Sequence, residues 1–329
     1  MATRCTTPTA TPSARLPTSS PAPPLARASA PVRTCDIGGW TDTWFGGPGR
    51  VLNVAVSPGI EVALTRAGAS TGRAGNRLIE AALNEYPAGV ALDVLVSSGA
   101  PAGSALGTSS AVAVALIGAL LTLRGDEPAP ELVARAAHRL ESEVLGDECG
   151  VQDQLSAAFG GISYITVERY PDADVEPLPG WPELSDLLST VFLGAPHVSS
   201  AVHREVIASG DRAALDRLRD AAEAAREAVL NRDLDALASA MRDNTRAQRE
   251  LHSQTVGAAA GGVIDLARSA GAIGWKVNGA GGEGGSVAVL HASLPERLSF
   301  EEEVDKTGRW RVLPLRPCER GLEVTLAGS

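Results

Sequence analysis

Lysine is almost missing from this chain of 329 residues: of 29 basic residues only Lys276 and Lys306 are lysines. Neither follows a glycine, so the Walker loop G-x-x-x-x-G-K-[ST] is excluded, and any handling of nucleotides must use another device. The four cysteines, Cys5, Cys35, Cys149 and Cys318, lie far apart and make none of the close pairs of zinc sites or disulfide-dense domains. Reduced thiols in a cytoplasm are expected. The five histidines contain no H-x-x-x-H or H-E-x-x-H pair, which removes the common zinc motifs. Long apolar runs are absent too: Ala111 to Leu123 is broken by Gly118 and Thr122 and is shorter than the roughly 20 residues a membrane span needs. Positive charge is in deficit. With 39 acidic against 29 basic residues the formal charge is −10, and no whole-chain basic field exists to attract nucleic acid or anionic lipid.

What is present is a large supply of core residues, 44% hydrophobic, in a length that suggests about two domains at roughly 150 residues each. Residues 1 to 29 are proline-rich with few large apolar side chains and read as a disordered leader; lacking acidic residues but carrying Arg4, Arg15 and Arg27, they also have a transit-peptide composition. From Ala30 the pattern alternates between strand and helix. Strands are expected at 30 to 37, 51 to 65, 90 to 97 and 162 to 167, and helices at 76 to 83, 109 to 123, 132 to 144 with Gly146 as terminator, and 152 to 159. A proline-rich connector at 171 to 182 leads to a helical stretch over 199 to 251, a helix near 263 to 270, and strands at 275 to 277 and 286 to 291 around a glycine turn. The division expected is 1–29 leader, 30–172 N-terminal domain and 173–329 C-terminal domain, in the mixed α+β class.

The most informative segment is Pro101-Ala-Gly-Ser-Ala-Leu-Gly-Thr-Ser-Ser110, which follows a strand and runs straight into a helix. A helix start offers unpaired N–H groups and about half a positive charge, and small residues let an anion approach the backbone. The loop therefore reads as a phosphate cradle, with an ordinary serine-capped turn as the plain alternative. Glu141 and Asp153 stand on later helices, where they would meet at one cleft, Glu141 on a hard cation and Asp153 on a substrate hydroxyl; singly, each also reads as a solvated helix carboxylate.

These residues resemble the GHMP kinases. PAGSALGTSS is similar to the family's P-x-G-x-G-L-G-[ST]-S-S signature; Ala30-Pro-Val-Arg33 leading to Gly38-Gly-Trp-Thr-Asp42, and Lys276-Val-Asn-Gly-Ala-Gly-Gly-Glu-Gly-Gly285, resemble its other two motifs in the same order. CGVQDQ followed by AAFGG looks like the catalytic aspartate segment of the sugar kinase branch. Within it, GGWTD and GTSS resemble D-glycero-D-manno-heptose 7-phosphate kinase and fucokinase. Galactose is disfavoured, because galactokinases carry Glu-His where Gly39 and Trp40 stand, and mevalonate-type acceptors are further away.

The resemblance implies a two-domain GHMP kinase fold, N-terminal ribosomal protein S5 domain 2-like and C-terminal ferredoxin-like. It implies an ATP- and Mg²⁺-dependent phosphotransferase, a sugar kinase acting on the anomeric C1 hydroxyl of a sugar or sugar phosphate. Asp153 and Arg33 match the catalytic pair. Pro101, Gly103, Ser104, Ala105, Leu106, Gly107, Thr108, Ser109 and Ser110 match the nucleotide loop, and Ser109 and Glu141 the Mg²⁺ ligands. Gly39, Trp40, Thr41, Asp42, Gly281 and Gly282 match the acceptor site. The implied partners are ATP and a small sugar or sugar phosphate, with no nucleic acid or membrane, in a monomer or homodimer.

Two departures from the family pattern stand out. Ala105 occupies a glycine position of the kind that serves positive φ or close phosphate contact, and Glu283 interrupts GAGGGG with a negative charge that points either to solvent or to the sugar. They motivate an alternative, a GHMP-fold sensor of sugar or nucleotide with impaired catalysis. Other short motifs compete. Gly279 to Gly284 matches G-x-G-x-x-G but runs into a strand instead of a helix. Gly68-Ala-Ser70-Thr-Gly72 matches a hydrolase nucleophile elbow. His197, Ser199, Ser200, His203 and Arg204 read either as a capped helix or as a pocket for a sugar or its distal phosphate, and Trp40 and Trp44 either stack on a sugar or pack.

Overall fold

A computed structural model of the chain describes residues 23–67, 76–195, 204–208 and 210–327. Two antiparallel sheets organise it. Strands β1 (Ala26–Ile37) and β2 (Gly49–Arg66) are rich in β-branched and small residues, and both lie largely buried. They form the centre of a seven-stranded sheet ordered β11-β1-β2-β4-β5, with β3 (Leu92–Ser98) and β10 (Arg316–Pro317) also on β2. The others are β4 (Ile162–Arg169), β5 (Asp172–Leu178) and β11 (Glu323–Leu326). The second sheet is ordered β7-β8-β6-β9, from β6 (Leu188–Phe192), β7 (Gly274–Val277), β8 (Ser286–Leu290) and β9 (Arg311–Leu313).

Helix α1 (Arg77–Glu85) begins at an Asn76 cap, and α2 (Thr108–Leu123) is apolar all round, as a helix enclosed on every side must be. The side chains of α2 join those of β1 and β2 and of α3 (Pro130–Arg139) and α4 (Gln152–Phe159) in one core. The chain after α3 widens into a π-helical turn, Leu140–Val144, of the kind that tends to mark functional sites. After the short α5 (Leu184–Leu187), helices α6 (Arg212–Asn231) and α7 (Leu234–Leu251) pair against each other, each started by an aspartate cap, and bridge the sheets by packing α6 on β2 and α7 on β7. A second core lies between the smaller sheet and α8 (Ala258–Ser269) and α9 (Leu294–Thr307).

Several expectations need correction. β1 starts at Ala26, so residues 26–29 are ordered sheet and not leader; their alternating burial is fixed by pairing with β2 and β11. Residues 1–22 of the expected leader lie outside the described residues, and 23–25 lead into β1, the Leu25 N–H donating to the Leu64 carbonyl at 2.7 Å. The connector read at 171 to 182 contains β5, whose pairing with β4 overrides its prolines. Helix α9 and the last three strands carry weak periodicity and went unread. The expected division at 172/173 does not follow the sheets, because β5, β10 and β11 belong to the larger one.

The sheets meet where β1 ends. Asn278 accepts the Cys35 backbone N–H at 2.9 Å and donates to Thr34 Oγ1 at 3.2 Å and Ser286 Oγ at 3.0 Å, and Ser286 in turn donates to the Ser104 carbonyl at 2.7 Å. One buried amide thus ties both sheets to the loop before α2. Asn278→Ala strands these buried groups, and the expected result is a loss of roughly 2 kcal/mol, seen as a lower urea midpoint at unchanged m.

Candidate active site

The loop ahead of α2 is shaped by backbone conformation. Gly103 and Gly107 have φ of 72° and 70°, and Ala105 has φ 57°. The position that resembles a family glycine is therefore left-handed, and Ala105 occupies it at a strain of about 1–2 kcal/mol. Gly107 caps α2 in the left-handed region with no side chain bonded to the first turn, so the open N–H groups of the helix face the cleft. A Cβ on Gly107 would lie 3.1 Å from Asp153 Cγ; the loop and the aspartate are in direct apposition.

Arg33, near the end of β1 and 3% exposed, reaches under this loop. Its Nε donates to Asp153 Oδ1 at 2.8 Å, one terminal nitrogen donates to the Ala105 carbonyl at 2.6 Å, and the same nitrogen lies 3.4 Å from Asp36 Oδ1. Burial opposes the guanidinium charge, but Asp153 and Asp36 outweigh it and hold its pKa above the ordinary value. Asp36 and Lys276, both fully buried, form an ion pair at 2.9 Å, and Asp36 also accepts the Gly279 N–H.

Glu141 sits on the π-helical turn, 5% exposed, its Oε2 accepting from Ser110 Oγ at 2.8 Å and Gln154 Nε2 at 2.7 Å. Burial pushes its pKa up, against the hydrogen bonds from Gln154, Ser110 and Ser109. Asp42, 1% exposed, accepts the Gln152 backbone N–H at 3.1 Å and lies 3.4 Å from Gln152 Nε2. Burial first, with the nearby Asp153 charge, raises it from 3.8 to about 6.

These groups share one cleft of about 670 Å³. Of the residues expected from sequence, Arg33, Trp40, Asp42, Gly103, Ala105, Leu106, Gly107, Thr108, Ser109, Ser110, Glu141 and Asp153 line it. The others do not. Pro101 and Ser104 belong to the loop without lining the cleft, Ser104 being fully buried. Gly39 faces Asp36 and Gln152, and Thr41 bonds the Gly38 and Arg50 carbonyls. Gly281 and Gly282 abut Thr255 instead of the cleft, where Gly279 and Ala280 take their place.

Trp40 lines the cleft while packing on Phe45 among Val206, Leu215 and Leu218, and Trp44 stands apart against Phe45 and Tyr170. Glu283 turns away from the loop to the Ala258 N–H at the start of α8, where a helix dipole favours negative charge. Arg204 lines the cleft, whereas His197, Ser199, Ser200 and His203, and the Gly68 to Gly72 motif, lie outside the described residues. Asp36, Lys276 and Gln152 escaped notice as site residues. The signal for Lys276 was available: one of two lysines, in an otherwise strand-like Trp275 to Val277. Cys149 also lines the cleft, but burial and the surrounding carboxylates push its thiol pKa up and make it a poor nucleophile.

Comparison with known proteins bears on the fold. Residues 74–161 match the GHMP kinases N terminal domain. A mevalonate kinase of Pyrococcus horikoshii is 34% identical over 228 residues, covering 67% of this chain and 64% of that protein. The bifunctional fucokinase/GDP-fucose pyrophosphorylase of Arabidopsis thaliana is 26% identical over 88% of this chain and 33% of its own length. A crystal structure of a D-glycero-D-manno-heptose 1-phosphate kinase from Bacteroides thetaiotaomicron superimposes with a TM-score of 0.72 at 20% identity, covering 93% of this chain and 100% of that one. The chain has the GHMP kinase fold. As a GHMP-fold protein it spans a little under two thirds of the Pyrococcus relative and a third of the plant one. No helix among the described residues is long and apolar enough to cross a membrane.

Two outcomes follow. Ala105→Gly removes the left-handed strain and is expected to raise Tm by a few degrees, about 1 kcal/mol net of chain entropy. Asp42 binds its proton more tightly folded than unfolded, so its burial costs stability above pH 6 and nothing below the unfolded value. Asp42→Asn is therefore expected to be the more stable protein at pH 8, by at most about 3 kcal/mol, with the advantage gone by pH 4 in thermal melts. A pH-independent difference contradicts this.

Proposed function

We propose that this protein is an ATP- and Mg²⁺-dependent kinase of a small hydroxylated acceptor, a sugar or sugar phosphate phosphorylated at its anomeric C1 hydroxyl. The observation that carries the reading is the meeting, in one cleft, of an open helix start, a buried carboxylate with no cationic partner among the described residues, and an aspartate held by an arginine.

Mg²⁺-ATP, when bound, supplies the phosphoryl group and neutralises charge on the phosphates. The chain supplies position. The N–H groups of α2 and the loop Gly103 to Ser110 receive the phosphates, with small side chains that let them approach. Glu141 and Ser109 fit the cation: Glu141 is buried with two neutral donors on one oxygen, and Mg²⁺ in kinases needs only one or two carboxylates beside phosphate and water. Among the described residues no group of three or more acidic, histidine or cysteine side chains forms a self-sufficient metal cage, in keeping with a cation that arrives with its nucleotide.

Asp153 would accept the proton of the acceptor hydroxyl as that oxygen bonds to the γ-phosphorus and the bond from phosphorus to ADP breaks, ADP leaving with the bonding electrons, and Arg33 fixes the direction of the Asp153 carboxylate. The 2.8 Å pairing keeps Asp153 oriented, so it acts by alignment more than by basicity. Asp42 accepts a hydroxyl of the acceptor. The GG-x-TD segment and the plant fucokinase match favour a sugar; the Pyrococcus mevalonate kinase match places mevalonate in the test panel. The positive φ of Ala105 and the turning away of Glu283 weigh against the sensor alternative, since neither departure obstructs the cleft.

The test is ATP consumption with aldoses, sugar phosphates and mevalonate, followed by NMR of the product to locate the new phosphate. Binding of ATP and a sugar with no transfer to any acceptor supports the sensor. With the acceptor known, Asp153→Asn is expected to lower kcat by roughly 10²- to 10⁴-fold while leaving ATP affinity near that of the wild type. KM for the acceptor is expected to rise as pH falls below about 6, as Asp42 takes up its proton, and to lose that dependence in Asp42→Asn.

A further inference from the structure

The Arg33 guanidinium lies between two carboxylates, Asp153 in the cleft and Asp36 behind it. It bonds Asp153 Oδ1 at 2.8 Å and stands 3.4 Å from Asp36 Oδ1. Both contacts are electrostatic, Asp36 is wholly buried and Asp153 only partly so, and a buried carboxylate without another cation attracts a guanidinium more strongly than a solvated one. Yet the arginine is turned to Asp153. Lys276 accounts for the choice. Its Nζ, fully buried on β7, lies 2.9 Å from Asp36 Oδ1 and also donates to the Val277 carbonyl at 2.6 Å. Burial by itself would push the Asp36 carboxyl up; Arg33 and Lys276 outweigh it and hold it below the usual range. The Gly279 N–H completes the set at 3.0 and 3.2 Å.

We propose that Lys276 is a positioning residue for the Arg33–Asp153 pair: by satisfying Asp36 it releases the guanidinium to orient the aspartate that receives the acceptor hydroxyl. The chain Asp153–Arg33–Asp36–Lys276 runs from the cleft into the smaller sheet, so the second sheet, through two residues of β1, sets the direction of a carboxylate on α4. This rests on the phosphoryl-transfer reading for its kinetic consequence, but not for its geometry. Loss of the Lys276 charge leaves Arg33 as the nearest cation to Asp36 among the described residues, and the guanidinium swings back.

The test compares Lys276→Met with the double variant Asp36→Asn/Lys276→Met in the full chain, using ¹⁵N-arginine NMR, thermal melts and steady-state kinetics. The Arg33 Nε–H signal is assigned by its loss in Arg33→Lys, and Asp153→Asn gives its position when the bond to Asp153 is missing. Lys276→Met is expected to move that signal toward the Asp153→Asn position and to lower kcat roughly 10²-fold, as a misplacement of about 1 Å does, with KM for ATP within about threefold. Removing the Asp36 charge as well takes away the competitor, so in the double variant the signal returns and kcat recovers to within about tenfold of the wild type.

A Lys276→Met protein with a lower Tm but an unmoved Arg33 signal and full kcat per folded molecule overturns the proposal and leaves the ion pair a fastening between sheets. If Lys276→Met does not fold, the double variant, which loses both buried charges together, decides: a displaced Arg33 signal there means that Asp36 holds the arginine directly, and the role given to Lys276 is wrong. If no acceptor is phosphorylated by the wild type, the kinase reading fails, while the NMR comparison still decides where Arg33 points.

Discussion

The arrangement depends on a single guanidinium held in place from three directions. Arg33 is bonded to the Asp153 carboxylate, to the carbonyl of Ala105 in the loop before α2, and approaches Asp36 at the back. Its own backbone N–H donates to the Leu106 carbonyl at 3.0 Å. An arginine suits this task because its donors lie in one rigid plane, which fixes the angle between partners as well as their distance. The helix start, the aspartate and the sheet junction are thereby referred to one side chain. A lysine could supply the charge without the directions.

Charge is distributed unevenly around that point. Asp42, Glu141, Asp147, Glu148 and Asp153 line the cleft against Arg33 and Arg204, so the protein alone leaves it rich in negative charge. Asp42 and Glu141 are buried at a cost visible in their raised pKa values. Each is met inside the protein by hydrogen-bond donors alone, Asp42 by Gln152 and Glu141 by Ser110 and Gln154, and buried carboxylates in a cleft with raised pKa values are the kind of group that gathers at functional sites. Backbone strain gathers at the same place. Of the four described non-glycine residues with positive φ, Cys35, Trp40 and Ala105 belong to the site or its immediate support, and Arg232 merely ends α6.

Much of this was legible in the residues, and the limit has a physical cause. The loop Pro101 to Ser110 could be read because the requirement for small residues next to a helix start is local, and local requirements leave contiguous patterns. Glu141 and Asp153 could be brought to one cleft from their helices, but Arg33 could be paired with Asp153 only through the resemblance to a family, since residues 120 positions apart in sequence carry no mark of their 2.8 Å contact. Asp36 and Lys276 lie 240 positions apart and belong to different sheets, and nothing near either names the other. The glycines of the third motif were read as acceptor ligands, but Gly281 is required by the approach of the Thr255 carbonyl; a spacing pattern cannot separate the two demands. The end of the chain was least readable, because its short strands take their structure from the sheet they join.

That last segment has a bearing on how the molecule comes into being. Strand β11, Glu323–Leu326, covers the free edge of β1 at Ala26–Ser29. Strand β1 therefore keeps an open row of backbone donors and acceptors until β11, made nearly 300 residues later, is available, and in that interval it is a template for pairing with another nascent chain. Closure of the larger sheet at this edge thus waits on a segment that lies far from β1 in the sequence.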